Sequence, residues 1–190
     1  MPLKLKGSTS GSVELDVPAV VGGDVSLEMP GGGTVDRLER AGNIIQVVHV
    51  QDGAYVSGTG TMPVTTKPQN TDGTEFMSLA ITPTSATSKL MIIVNAVLTA
   101  NIGTVYIIGG LFQDSTAGAL AAWEEYPTGA TAPTGMSFTH YMTAGTTSAT
   151  TFKFRAGASS ATTTNFNGGA SNAHGGGVMA SSITIMEIAA

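Results

Sequence analysis

Lys89-Leu90-Met91-Ile92-Ile93-Val94-Asn95-Ala96-Val97-Leu98-Thr99-Ala100 is followed, after Asn101-Ile102-Gly103, by Thr104-Val105-Tyr106-Ile107-Ile108-Gly109-Gly110-Leu111-Phe112-Gln113. No charge occurs from Leu90 to Phe112, a run long enough to cross a bilayer as a helix. Its composition argues otherwise. The run is dense in β-branched residues, carries Asn95, Thr99, Asn101 and Thr104, and is broken at Asn101-Ile102-Gly103. It reads as two long strands, 89–100 and 104–113, joined as a hairpin by a tight turn, and membrane insertion is not expected. In the first strand Leu90, Ile92, Val94, Ala96 and Leu98 line one face, and Met91, Ile93 and Val97 line the other. A strand apolar on both faces is covered on both. One face meets a second sheet, and the other is suited to a neighbouring subunit.

Outward from this run the same alternation recurs. Residues 44–50 read as a buried strand, and 76–82 as the next, ended by Pro83. Residues 120–123 follow. In 136–143, Met136, Phe138, His140 and Met142 alternate with polar residues. In 150–155, Phe152 and Phe154 face inward and Lys153 and Arg155 outward, and 182–188 form the last strand. About eight strands with no helix-period pattern predict an all-β fold, an antiparallel β-sandwich or jelly-roll knob over residues 44–190. The polar stretches 51–74 and 156–177 read as exposed loops, the first with one short edge strand at most.

Residues 1–43 read differently. Val13-Glu14-Leu15-Asp16-Val17-Pro18 and Val25-Ser26-Leu27-Glu28-Met29-Pro30 repeat a Val-x-Leu-acid-apolar-Pro pattern at a spacing of twelve residues, each followed by a glycine-rich turn. Each is expected to be a strand with one apolar face. Val13, Leu15, Val17, Val25, Leu27 and Met29 contribute roughly 1.5–3 kcal/mol each if buried. Ordering the residues from Gly7 to Pro30 costs about 1–2 kcal/mol apiece in backbone entropy. The unit therefore needs other copies of the chain to cover it, and these six residues are candidate shaft and oligomer contacts. Asp36, Glu39 and Gly42 have the spacing of a capped helical turn, which suits a neck before the knob. Residues 1–43 are thus expected to form a short β-repeat anchor or shaft.

Composition narrows the function. Charged residues make up 11%, less than half of the usual quarter, so the polar surface is built from Thr, Ser, Asn and Gly, as in β proteins with much of their surface covered. A net charge of −5, with no basic cluster beyond Lys4 and Lys6, excludes a nucleic-acid groove. The absence of cysteine excludes disulfides and cysteine-based zinc sites. The first residues carry no apolar run of signal-peptide length, which points to assembly in the cytoplasm rather than export.

No catalytic constellation emerges. His49, His140 and His174 lie in separate segments without metal-ligand spacing. His174-Gly175-Gly176-Gly177 is like an oxyanion-hole motif, but Gly7-Ser8-Thr9-Ser10-Gly11 has threonine where a nucleophile elbow needs serine. Asp114-Ser115-Thr116 reads as turn chemistry rather than a calcium site. No metal, cofactor or enzymatic activity is expected. Trp123-Glu124-Glu125-Tyr126 is the candidate glycan contact, since aromatic faces stack on sugar rings and carboxylates accept from hydroxyls.

The segment from Leu3-Lys4-Leu5-Lys6-Gly7 through Val13-Glu14-Leu15, with Val17-Pro18-Ala19 and Met29-Pro30-Gly31, resembles the start of short tail-fibre or virion proteins of tailed, marine-type bacteriophages. Ile44-Ile45-Gln46-Val47-Val48, Ile81-Thr82-Pro83-Thr84, Ser88-Lys89-Leu90 and the terminal Ser182–Ile188 run are similar to the trimeric knobs of such proteins. The resemblance implies a homotrimer with a jelly-roll-like head. It also implies a place in the virion, with host attachment through surface glycans and with residues 1–43 joined to other virion proteins. Loops 51–74, 114–136 and 156–180 are the expected contact surfaces. A trimeric capsid decoration protein (a head fibre or cement protein) shares these features, and a small β-sandwich hydrolase is a more distant reading.

Deleting residues 1–33 is expected to leave a folded, still-trimeric knob that no longer joins particles. Native mass and incorporation assays of the truncated chain check this.

Overall fold

The computed structural model describes residues 3–6, 12–15 and 41–190. The chain divides into two compact units, Met1–Leu38 and Glu39–Ala190. In the first, β1 (Leu3–Lys6) and β2 (Ser12–Leu15) pair antiparallel, with Leu5 opposite Val13 and Leu3 opposite Leu15. The expected strand at Val13 is thus present as far as Leu15. Val17, Val25, Leu27 and Met29 lie outside the described residues, as does the expected helical turn before Ala41.

The second unit contains β3 (Ile44–Asp52), β4 (Val56–Gly58), β5 (Thr74–Ile81), β6 (Lys89–Ala100), β7 (Ile107–Gln113) and β8 (Ala121–Glu125). They are followed by β9 (Thr134–Thr143), β10 (Thr150–Ala158), β11 (Thr164–Phe166), β12 (Gly168–Gly169), β13 (Asn172–Ala173) and β14 (Ser181–Ile188). One sheet runs β3-β14-β6-β9, with β11 and β4 continuing along the β14 side of β6. The other runs β5-β10-β7-β8. All ladders are antiparallel. The eight long strands coincide with the eight read from the sequence, and their order across the two sheets is the double Greek key of a jelly roll.

The expected hairpin 89–113 is not formed. β6 belongs to the first sheet and β7 to the second. The physical reason is edge occupancy: β6 is paired by β14 and β11 on one side and by β9 on the other, so no edge remains for β7. Residues 101–106 carry the chain across instead, with the Asn101 amide donating to Thr163 O at 3.0 Å and Val105 buried. The expected burial of 44–50 is also corrected. β3 is the edge of its sheet, none of its residues is fully buried, and Ile44 and Val47 are exposed.

The core lies between the sheets. Leu90, Ile92, Val94 and Leu98 of β6 and Ile183 and Ile185 of β14 pack with Phe152, Phe154, Met77, Ile107 and Leu111 of the opposite sheet. The Phe138 and Phe154 rings approach to 6.4 Å between centroids.

Both long loops are more structured than their composition suggests. In 51–74, β4 is the short edge strand, but Met62 and Pro68 are buried, and Met62 clusters with Ile108, Phe112 and Ala119 on the outer side of β7. In 156–177, β11 is fully buried, and Phe166 stacks on Phe76 at 5.1 Å. The polar neighbours of Phe166 are buried with it because they find partners. Asn165 Nδ2 donates to Thr99 Oγ1 and Asn101 Oδ1, and Asn167 Nδ2 donates to the Asp52 and Ala54 carbonyls. Phe166→Ala is expected to cost about 3–5 kcal/mol of unfolding free energy, read from denaturant titration.

Glu187 ends the inner face of β14 and is fully buried. Gln46 Nε2 donates to it at 2.6 Å, and the Thr84 amide and hydroxyl and the Ser85 amide donate at 2.9–3.3 Å. These bonds clamp the β5–β6 loop over the mouth of the sandwich. Burial alone pushes the carboxyl pKa up, but the donors from Gln46, Thr84 and Ser85 outweigh it and hold it below the usual carboxylate range. A depressed folded-state pKa stabilises the fold above the unfolded pKa, and the gain is lost as pH falls through the folded value. Glu187→Gln is therefore expected to cost about 1.5–3 kcal/mol at pH 7 and progressively less as pH falls below the ordinary glutamate range, as measured by melting in acid.

Candidate functional site

β7 and β8 are consecutive long strands that pair as a hairpin within one sheet, and β8 is the sheet's free edge. The expected glycan quartet sits here. Strand alternation divides it. Trp123 lies opposite Gly109, and Glu125 opposite Ile107, on the side that faces the other sheet, where β8 runs beside β9. Glu124 lies opposite Ile108 on the outer side. Gly109 has no room for a side chain, since a Cβ there would sit 2.7 Å from the Phe154 ring.

Trp123 is 45% exposed and Tyr126 is 54% exposed. The Trp123 indole N–H donates to Glu125 Oε1 at 3.1 Å, which fixes the orientation of an exposed aromatic surface. Tyr126 meets Tyr106 edge-to-face with centroids 5.1 Å apart. Beside Glu124 an open cleft of about 160 Å³ is bounded by Pro63, Val64 and Pro68 of the long loop and by Ile108, Trp123 and Glu124 of the sheet. It is smaller than the roughly 300–1,000 Å³ of pockets that enclose a ligand. It suits contact with one ring lying on the surface.

The loop wall is held in place. The Ala119 amide donates to Pro68 O at 2.9 Å, and the Asn70 amide donates to Ala117 O at 2.7 Å. Pro63, Val64 and Pro68 belong to loop 51–74, expected as a contact surface with no residue singled out, and Tyr106 was not expected here. Two prolines in a polar run were the available signal.

The histidines do not converge. His49 is exposed on β3, with Nδ1 2.9 Å from Thr184 Oγ1. His140 faces inward from β9, and burial pushes its pKa down. His174 opens a 3-10 turn in which Gly175 and Gly176 have φ of 58° and 68°. Among the described residues no group of three or more His, Cys, Asp or Glu is placed to hold a metal. Asp114 accepts from the Thr151 amide and the Thr150 hydroxyl, both at 2.7 Å, so its carboxylate ties the turn to β10 rather than bonding the nearby turn amides as expected. No helix among the described residues is long and apolar enough to cross a membrane.

No protein-family model and no curated protein matches the chain. Among solved structures it is similar to the EclA C-terminal domain, a sugar-binding protein, with 16% identity, 73% of this chain and 83% of that chain covered, and a TM-score of 0.35. It is also similar to the infectious bursal virus protein of derived T=1 particles, with 15% identity, 97% and 44% covered, and a TM-score of 0.41. A bacterial lipoprotein from Bacteroides thetaiotaomicron matches at 9% identity over 80% and 95%, with a TM-score of 0.28. The chain spans under half the length of the infectious bursal virus proteins it matches.

Proposed function

We propose that the chain is a virion structural protein of a tailed bacteriophage. In this reading it is a homotrimeric short tail fibre, with a jelly-roll knob that adheres to a host surface glycan and residues 1–43 that join other virion proteins. The resemblance of the two terminal regions supports the virion placement. The observation that carries attachment is the exposed aromatic and carboxylate surface of the β7–β8 hairpin. Trp123 and Tyr126 offer ring faces to a pyranose, Glu125 offers an acceptor on the side of Trp123, and Glu124 offers one at the cleft on the opposite side. One such contact is weak. Three on one trimer, and several trimers on one particle, raise effective concentration enough for firm adhesion.

The full-length chain is expected to bind a subset of surface polysaccharides on a glycan array. Trp123→Ala and Tyr126→Ala are each expected to weaken that signal at least about tenfold, about 1.4 kcal/mol. Equal binding by both variants would remove the β7–β8 surface from the account. Label spread over the whole head in electron micrographs of particles would assign the chain to capsid decoration instead of the tail.

A further inference from the structure

The two sheets present opposite kinds of outer face. On β10 and β5 the outer side carries Lys153 and Arg155, both 3.5 Å from Glu75 Oε2. That is how this chain builds a sheet face for water. On the first sheet, Val47, Met186, Met91 and Tyr141 form one continuous row across β3, β14, β6 and β9. Ile44 and Ile188 lie side by side in the row on one side of it, and Ile93 is in the row on the other side, between Thr184 and Thr139, with His49 at its β3 end. These residues alternate with the buried Leu90, Ile92, Val94, Ile183 and Ile185, so they face away from the core. Val47 is 52% exposed and Tyr141 is 57% exposed. The only lysine, arginine or carboxylate in these rows is Lys89 at a corner, where its ammonium donates to Thr143 Oγ1 at 2.7 Å.

We infer that this face is covered by a second copy of the same chain. The inference rests on the homo-oligomeric reading above and assigns its surface within the knob. Charge selects the occupant. Each chain carries a net −5, so copies repel one another in general. The acids Glu75, Asp72, Asp114, Glu124 and Glu125 all lie off this face. It is where two copies meet with least like-charge cost, and it offers no complementary charge by which a partner of other composition would be chosen. Its size is consistent. Four strands about 4.8 Å apart and seven residues at about 3.3 Å each give a plane on the order of 400 Å². That is within the roughly 300–600 Å² of the largest patch on a typical monomer, a size that is often functional. It is about half of the roughly 800 Å² per partner in a standard interface, with the hydroxyl and amide rim supplying the remainder.

The test uses the full chain, with mass measured by light scattering at micromolar concentration. Wild type is expected to be oligomeric, and in a dilution series Val47→Glu and Tyr141→Glu, each at an exposed site, are expected to dissociate at a concentration at least about tenfold higher, with unchanged far-UV circular dichroism. A wild-type oligomer whose dissociation neither substitution shifts overturns this face as the interface and leaves the homo-oligomer reading standing, held by the shaft. A monomeric wild type overturns both. A second measurement does not depend on charge. The chain has no cysteine, so Tyr141→Cys and Val178→Cys each place a single thiol, the latter at a position 85% exposed in one chain. The thiol of Tyr141→Cys is expected to react at least about tenfold more slowly in the native protein. Similar rates would contradict the proposal.

Discussion

The knob depends on β6 having no free edge. Twelve residues, Lys89–Ala100, are paired along one side by β14 and then β11, and along the other by β9. A strand saturated on both sides cannot form a hairpin with its successor in the chain, so the backbone must cross to the opposite sheet. That crossing brings Ile107 and Leu111 of β7, beside Phe152 and Phe154 of β10, over Leu90, Ile92 and Val94. It also frees β7 and β8 to form the hairpin that projects Trp123, Glu124, Glu125 and Tyr126 at a sheet edge. The candidate site is thus a consequence of where pairing on β6 ends.

The surface is divided by the same logic. Where the chain faces water over β10 and β5, it uses paired charges. Where the long loop folds over β7, the apolar outer face is closed by Met62 and Pro68, and the cleft beside Glu124 is left at the loop's margin. Over β3, β14, β6 and β9 no described part of the knob is seated on the outer face, which keeps Met91, Met186 and Tyr141 in one row. With only 11% charged residues the chain has little means of solvating such a face, and coverage by a like subunit is the consistent outcome.

Strand positions were legible because alternation is local. Met136, Phe138, His140 and Met142 face inward, as their spacing demands. Which sheet a strand joins was not legible, because it depends on edges occupied by residues far away in the chain. Burial of Phe166 and Met62 was hidden by polar neighbours whose partners are equally distant; Asn165 is satisfied by Thr99 and Asn101. Alternation puts Glu187 on the face of Ile183 and Ile185, but what lets a carboxylate sit there, the donors of Gln46, Thr84 and Ser85, comes from distant residues. In the candidate site, alternation itself separates Glu124 from Trp123 and Glu125, so that division was available in the sequence. Loop 51–74 was legible as a contact surface, but its seating against β8, and the place of Tyr106, were not, since they come from separate stretches.

The most direct measurement is native-state hydrogen exchange of the full chain. Amides paired on both sides of a central strand are released only by global unfolding, whereas edge strands open locally. The account predicts that 89–100 exchanges slowest of all and that β3 and β8 exchange orders of magnitude faster. Exchange of 89–100 as fast as that of β8 would contradict β6 as the strand on which the knob is built.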